Sequence, residues 1–150
     1  MKRTFSAALI CLLACLGMQA AQVDTLMVRS ESMNKDIKVV AVRPDKAMKG
    51  EKCPVIYLLH GHGGQANTWI KVRPDLPEIA DRDGIIFVCP DGNRDSWYWD
   101  SPVIPESRYE TFISKELIEY TDKNLNAISD RSKRAITGLS MGGHGAMWNA

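Results

Sequence analysis

Short, continuous runs of apolar residues recur along the chain and alternate with amphipathic stretches. The runs at 55–59, 85–89 and 134–139 have the length and composition of strands that are buried on both faces. Between them, residues 76–82 and 106–124 place apolar side chains at helical spacing. Apolar strands that alternate with amphipathic helices predict right-handed βαβ units and a parallel sheet.

The region before these units has a different pattern. Residues 24–30 and 37–43 alternate polar and apolar side chains and are rich in β-branched residues, and the polar segment 31–35 separates them. This pattern predicts an antiparallel hairpin at the edge of the parallel sheet. The predicted fold class is therefore α/β, with one domain from residue 21 to residue 150.

The first 20 residues predict a signal peptide for export and not a part of the fold. A basic start precedes the apolar stretch 7–16, whose ten residues are too few to cross a bilayer, which takes about 20. Cleavage near Ala20 fits the pattern, and so does cleavage after Gly17. An alternative interpretation makes Cys15 the lipidated first residue of a lipoprotein. The predicted location is secreted or periplasmic, or anchored at Cys15.

Charge and cysteine content narrow the class of protein. The 150 residues are 45% hydrophobic and 25% charged, with a formal net charge of +1, which gives no support to a nucleic-acid-binding surface. Cys53 and Cys89 lie outside the predicted signal, at opposite ends of two strands predicted to be parallel neighbours. That arrangement separates them by about 15–20 Å, too far for a disulfide. We expect two buried thiols.

The pentapeptide GLSMG at 138–142 carries the strongest chemical signal. It is a G-x-S-x-G motif between a strand-like and a helix-like segment, which is the context of a nucleophile elbow. In such an elbow the glycines let strand and helix approach closely, and the helix directs its positive end at a developing anion. Ser140 is therefore the predicted nucleophile, and the Met141 backbone N–H is one predicted oxyanion donor.

A second glycine-rich turn follows the strand predicted at 55–59. The sequence HGHGG at 60–64 lies at the carboxyl end of that strand, which is where sheets of this kind bind ligands. It also resembles the loop that supplies the second oxyanion donor in lipases and esterases. We expect that donor to be the backbone N–H of His62. The aromatic loop at 91–100 reaches the same edge and fits either an acyl or sugar subsite or a packed surface loop.

The other two members of a catalytic triad have no match in the chain. In hydrolases of this type an Asp or Glu and then a His follow the serine, and we expect both beyond Ala150. His60 and His62 fall in the predicted oxyanion loop, and we expect His144 to point from the elbow helix into the structure. We interpret all three as braces. No third ligand at zinc-like spacing accompanies them, so we predict neither a metal nor a cofactor.

Together these segments resemble the putative esterase family, which includes S-formylglutathione hydrolases, feruloyl and acetylxylan carbohydrate esterases, tributyrin esterases and mycolyltransferases. The resemblance covers residues 24–150 and rests on YLLHGHGG with Trp69, on DGN and SWYWDSP, on YETFISKEL and, most specifically, on RAITGLSMGGHGA. It implies an α/β-hydrolase fold with a mostly parallel sheet and an N-terminal hairpin, cut after the elbow helix. It also implies Ser140 as nucleophile and the His62 and Met141 amides as the oxyanion hole.

The function that the resemblance implies is an exported serine esterase that cleaves carboxylic esters through an acyl-enzyme on Ser140. Its substrates would be small-molecule esters or acyl groups on polysaccharides. Two alternatives remain open, namely an acyltransferase that uses the same site and a non-catalytic binding module or inactive fragment. Because the triad partners are missing and strand 134–139 would be an exposed apolar edge, we expect the 150-residue chain alone to be inactive and poorly soluble.

Overall fold

The sheet that organises the fold has five strands. A computed structural model describes residues 21–150, and residues 1–20, with the predicted signal and Cys15, lie outside the described residues. The strands are β1 (Gln22–Ser30), β2 (Lys35–Arg43), β3 (Val55–Leu59), β4 (Ile86–Pro90) and β5 (Arg134–Gly138). Their order across the sheet is β1-β2-β4-β3-β5.

The N-terminal part of the sheet is a long hairpin. β1 and β2 pair antiparallel, from Gln22 opposite Arg43 to Ser30 opposite Lys35. Asn34 in the turn between them has a φ of 50°, a conformation that asparagine tolerates better than most residues. β2 also pairs antiparallel with β4, which joins the hairpin to the rest of the sheet. The predicted hairpin is confirmed, and each strand begins two residues earlier than its alternating pattern.

The other part of the sheet is parallel. β3 pairs with β4 on one side and with β5 on the other, so the carboxyl ends of these three strands meet at one edge. All three strands are confirmed to within one residue of the predicted bounds, but β5 alternates half-buried and exposed residues, so the prediction that it is buried on both faces is wrong for residues 134–138. β5 stands last in the strand order, so one side of its backbone has no strand neighbour among residues 21–150.

Helices cover both faces of the sheet. They are α1 (Asp45–Met48), α2 (Thr68–Val72), α3 (Leu76–Asp83), α4 (Tyr109–Thr111), α5 (Leu117–Asn124) and α6 (Met141–Asn149). The helix predicted at 76–82 is confirmed as α3, and the one predicted at 106–124 begins at Tyr109. A π-helical turn, Phe112–Glu116, joins α4 to α5, and a short 3₁₀ turn, Arg131–Lys133, precedes β5.

The core consists of two hydrophobic clusters, one on each face of the sheet. Neighbouring residues of β2, β3 and β4 contribute to opposite clusters, because successive side chains of a strand point to opposite faces. The cluster beneath α5 and α6 includes Val39, Val55, Tyr57, Leu59, Val88, Phe112, Leu117 and Met141. The cluster beneath α3 includes Val40, Val42, Leu58, Leu76, Ala80, Phe87 and Cys89. The result is a three-layer α/β/α arrangement.

The two cysteines outside the predicted signal are both free and buried, as predicted. Cys53 precedes β3 and Cys89 lies near the end of β4. Burial raises the pKa of the Cys89 thiol to about 12, and burial also raises the pKa of the Cys53 thiol. Since the thiolate is the reactive form, burial lowers the reactivity of both groups.

Candidate active site

Ser140 lies on a sharp turn between β5 and α6. Its backbone has φ 54° and ψ −115°, in a region that residues other than glycine seldom adopt. The side chain is exposed at the edge where the parallel strands end. The strand–turn–helix arrangement expected of a nucleophile elbow is therefore present, and the catalytic role of Ser140 stays a prediction.

The glycines of the elbow bring strand, turn and helix into direct contact. A Cβ on Gly138 would lie 2.3 Å from the carbonyl carbon of Gly142, and a Cβ on Gly142 would lie 2.3 Å from the carbonyl oxygen of Leu59. Real side chains do not approach this closely, so only glycine allows α6 to pack against the ends of β5 and β3. This packing places the elbow beside the loop that follows β3.

The predicted oxyanion loop, residues 60–64, lies against the elbow. A Cβ on Gly61 would be 3.2 Å from the Leu139 carbonyl oxygen and 3.5 Å from the Ser140 Cβ. The structure of residues 21–150 assigns no acceptor to the backbone N–H of His62 or of Met141. For Met141 this follows from its place in the first turn of α6, where N–H groups lack intrahelical partners. The three predicted site residues are thus brought to one edge, and their roles stay predictions.

The His60 ring is a brace beneath this loop. It is 1% exposed, and its Nε2 accepts a hydrogen bond from the Gly92 N–H at 2.9 Å. Nε2 is therefore unprotonated, and Nδ1–H donates to the Gly61 carbonyl at 2.7 Å. The Asp91 carboxylate, 3.7 Å from Nε2, is beyond hydrogen-bond distance. With both nitrogens occupied, His60 cannot serve as a general base for Ser140, which agrees with its interpretation as a brace.

The prediction that His144 points into the structure is wrong. The ring is exposed and lies between two tryptophans, edge-on to Trp97 at 5.5 Å and stacked on Trp148 at 6.2 Å. Its Nδ1 is 3.1 Å from the Trp97 carbonyl oxygen. The positions of α6 that face inward are taken instead by small residues and Met141, with Gly145 packed against a tyrosine ring. His144 therefore lies on the outer face of α6.

Comparison with known proteins identifies the family. The model of the putative esterase family matches residues 30–150. The chain belongs to this family. An acetyl esterase from Caldicellulosiruptor saccharolyticus is 30% identical over 128 residues, which cover 80% of this chain and 47% of that protein. The diacylglycerol acyltransferase/mycolyltransferase Ag85B from Mycolicibacterium smegmatis is 31% identical over 134 residues, or 83% of this chain and 39% of that protein.

Superposition on a solved structure supports the same family. A ferulic acid esterase superposes with a TM-score of 0.73 at 33% identity, covering 84% of this chain and 53% of that one. The predicted α/β-hydrolase fold is confirmed, and this esterase-family chain contains part of it. The chain spans about half the length, or less, of these relatives.

In this esterase-family chain, the aromatic loop at 91–100 sends its rings in two directions. Tyr98 is fully buried, whereas Trp97 and Trp99 are 46% and 45% exposed. Trp97 and Tyr98 have φ values of 55° and 58°, and this pair of left-handed residues turns the Tyr98 ring inward. The sequence did not predict this inward ring, because three consecutive aromatic residues give no signal that separates the buried ring from the exposed ones. Tyr98 packs inside the protein as the packed-loop alternative expects, and a subsite formed by Trp97 and Trp99 stays a prediction.

Two clefts border the site. A cleft of about 430 Å³ separates the oxyanion loop from the loop after β4, and its lining is polar: His62, Gly63, Gly64, Gln65, Asp91, Asn93 and Arg94. A second, of about 320 Å³, is aromatic and lies beside α6: Trp97, Trp99, His144 and Trp148. The described part of the chain brings no three His, Cys, Asp or Glu residues together in a way that could hold a metal ion. None of its helices is long and apolar enough to cross a membrane.

Replacing His60 by alanine is expected to lower the free energy of unfolding by about 3 kcal/mol. The change empties a buried site, leaves the Gly92 N–H without its acceptor, and removes one of the two hydrogen bonds that the Gly61 carbonyl accepts, the other coming from the Gly64 N–H. Urea unfolding of a soluble form of the protein, followed by tryptophan fluorescence, measures the loss. His62→Ala is the matched control, because that side chain is exposed and should change the stability by less than about 0.5 kcal/mol. Equal losses in both variants would contradict the bracing role.

Proposed function

We propose that this chain is the nucleophile-bearing part of an exported serine esterase that cleaves carboxylic esters. The observation that carries the proposal is the contact between the elbow and the oxyanion loop, in which Gly61 lies against Ser140. The N–H groups of His62 and Met141 belong to the two turns that meet at this contact, and neither has an acceptor among residues 21–150, which supports their proposed role as oxyanion donors. A nucleophile beside two free donors is the arrangement that acyl transfer requires.

In the proposed reaction the Ser140 hydroxyl oxygen attacks the ester carbonyl carbon and its proton passes to a general base. The carbonyl oxygen becomes an oxyanion, which the His62 and Met141 N–H groups stabilise together with the positive end of α6. The alcohol leaves with the proton, and an acyl-enzyme remains on Ser140. Water then attacks the acyl-enzyme and releases the acid.

We propose that the general base lies outside residues 21–150. Within residues 21–150, His60 has both ring nitrogens occupied, and His144 bonds the Trp97 carbonyl. We propose that the histidine and acid of the triad follow residue 150 in a longer chain, in the order that this fold uses. The length of the relatives, about twice that of the matched region, supports this.

The names of the relatives suggest the substrates. The acetyl esterase and the ferulic acid esterase indicate esters of small acids, either aliphatic or aromatic, and acylated polysaccharides carry both kinds. The export signal predicted at 1–20 supports a secreted or periplasmic enzyme that meets such polymers, or a lipoprotein anchored at Cys15.

A second candidate is an acyltransferase that passes the acyl group from Ser140 to an alcohol in place of water. The 31% identity to the diacylglycerol acyltransferase/mycolyltransferase favours it. Both reactions share the same acyl-enzyme, so the site residues are the same. Adding glycerol to the esterase assay separates them, because a transferase would form a new ester faster than free acid.

The test of the proposal is labelling by a fluorophosphonate serine probe alongside turnover of p-nitrophenyl acetate. Both are measured on the 150-residue chain and on a version extended along its downstream reading frame, with the label located by mass spectrometry. We expect labelling at Ser140 and turnover in the extended form only. Turnover by the 150-residue form would mean that His62 or His144 acts as the base. Silence of both forms would overturn the proposal in favour of a binding module.

A further inference from the structure

We propose that Tyr98 is a positioning residue for the oxyanion hole, acting through the backbone of His60. The proposal rests on the proposed function, since it assigns a role to a residue behind the same site. Tyr98 is fully buried in the loop after β4, and it touches both loops of the site and the elbow helix.

The Tyr98 hydroxyl binds both backbone groups of one residue. It accepts a hydrogen bond from the His60 N–H at 3.0 Å and donates one to the His60 carbonyl at 3.2 Å. Burial raises the pKa of this hydroxyl, so the proton needed for donation is held throughout the working pH range. The side chain thus replaces, for one residue, the pairing that a neighbouring strand would give.

The hydrogen bonds between Tyr98 and His60 lie just beyond the end of β3, where its ladders with β4 and β5 have ended. The ladder between β3 and β5 ends with Leu59 opposite Gly138, and that between β3 and β4 ends with Tyr57 opposite Val88. His60 is the first residue beyond both ladders and the first of the oxyanion loop. Since buried backbone groups need partners, the direction in which the chain leaves β3 depends on Tyr98.

The Tyr98 ring also fixes the spacing between the two loops and the elbow. A Cβ on Gly92 would lie 2.2 Å from the ring, and a Cβ on Gly145 would lie 2.6 Å from the Tyr98 Cβ. The ring therefore fills the space between the loop after β4 and α6, and only glycine allows it to do so. Asn149 in α6 adds a hydrogen bond, from its Nδ2 to the Tyr98 carbonyl, at 3.0 Å.

The backbone that holds Tyr98 is strained. Trp97 and Tyr98 both have positive φ, and the Ser96 hydroxyl supports the turn by accepting the Tyr98 N–H at 3.1 Å while it donates to the Gly92 carbonyl. Two successive bulky residues in the left-handed region persist only where the surroundings impose them. Such strain in a loop beside a site is typical of residues that fix functional geometry.

The contacts leave little freedom to the peptide before the donor. The Tyr98 hydroxyl holds the N–H and the carbonyl of His60, and the His60 ring holds the Gly61 carbonyl at 2.7 Å. The next N–H along the chain is that of His62. An oxyanion donor contributes fully only when it is aimed at the position that the oxyanion will occupy. Tyr98 therefore fixes the orientation of the His62 N–H without touching the substrate.

The variant that tests this role is Tyr98→Phe, which keeps the ring and removes the hydroxyl. Loss of a whole oxyanion donor lowers kcat by about 10²–10³-fold. A misaimed donor should cost less, so we expect kcat to fall by about 10–50-fold with KM unchanged, because the ground-state ester makes little use of the hole. Affinity for a trifluoromethyl ketone, which forms an oxyanion adduct with the serine, should fall by a similar factor. A loss of stability alone would change neither the kcat of the folded enzyme nor its affinity for the ketone.

Tyr57→Phe is the matched control. Tyr57 is 3% exposed in the same sheet, and its hydroxyl has no hydrogen-bond partner among residues 21–150. We expect its kcat and KM to stay as they are in the unsubstituted protein. Kinetics are measured in whichever form of the chain the fluorophosphonate probe labels.

Amide hydrogen exchange supplies a readout that does not depend on catalysis. In Tyr98→Phe the His60 amide loses its acceptor and should exchange at least about 10-fold faster, whereas Tyr57→Phe should leave it unchanged. Unchanged exchange at His60, or unchanged kcat in an active form, would overturn the positioning role. If no form of the chain reacts with probe or ester, the proposed esterase function fails, and exchange at His60 still decides whether Tyr98 holds the loop.

Discussion

Replacing Ser140 by glycine is expected to abolish ester hydrolysis and, at the same time, to raise the free energy of unfolding by about 1 kcal/mol. The backbone of Ser140, with φ 54° and ψ −115°, is strained for serine and easy for glycine. Because the hydroxyl is the nucleophile in the proposed mechanism, kcat should fall by about 10⁴-fold or more. Urea unfolding and p-nitrophenyl acetate hydrolysis measure the two effects on the extended form, in which turnover is expected.

Ser140→Ala separates the two causes. Alanine removes the hydroxyl but keeps the Cβ that makes this backbone conformation costly, so hydrolysis should be lost with a stability change of less than about 0.5 kcal/mol. Equal stabilisation in the alanine and glycine variants would show that the gain comes from removing the hydroxyl. A glycine variant less stable than the original would contradict the presence of strain.

Replacing Gly142 by alanine is expected to lower the free energy of unfolding by about 3 kcal/mol or more. The added Cβ would lie 2.3 Å from the Leu59 carbonyl oxygen and 2.7 Å from that of His60. Both are backbone atoms at the end of β3, so the clash is relieved only by moving α6 away from the sheet. Domains are stable by about 5–15 kcal/mol, so the loss should lower both the urea midpoint and the soluble yield.

Gly143→Ala, one position along the same helix, is the control. Its nearest neighbour would be the Gly138 carbonyl oxygen at 3.4 Å, which is ordinary contact. Alanine is also a better helix former than glycine, by up to about 1 kcal/mol. We therefore expect this variant to be as stable as the original or more so. A similar loss in both variants would mean that α6 rejects any added side chain, independently of its contact with β3.

The sheet could be predicted from the sequence because its signals are local. Apolar runs marked β3, β4 and β5, and alternating side chains marked β1 and β2. The elbow could be predicted because its glycines have a steric purpose, which the close approach of Gly142 to Leu59 shows. The family followed from the same motifs.

The orientation of His144 could not be predicted, because α6 has no apolar stripe. Its inward positions include Gly142 and Gly145, while Met147 and Trp148 are 87% and 57% exposed. Helical periodicity places the apolar residues of a sequence inside, and here small residues fill the tight space against the sheet. Which residues of α6 face the sheet is decided by how closely the helix approaches β3.

Two other features depend on geometry that residue patterns do not encode. The π-helical turn Phe112–Glu116 lengthens one turn, which lets Phe112, Ile113 and Leu117 all enter the core. The inward rotation of Tyr98 depends on two successive positive φ values, which side-chain type does not predict for Trp and Tyr. Since Tyr98 lies behind the oxyanion loop, the sequence identified the nucleophile more readily than the residue that supports the loop.

The strand order has a consequence for the folding rate. β4 lies between β2 and β3, so the two earlier strands share no ladder and the sheet cannot assemble in chain order. The β1–β2 hairpin joins neighbouring segments and can form within about 1–10 μs. Insertion of β4 needs contacts between distant parts of the chain, which must first overcome loop-closure entropy. We therefore expect the β1–β2 hairpin to form before β4 pairs with β2 and β3.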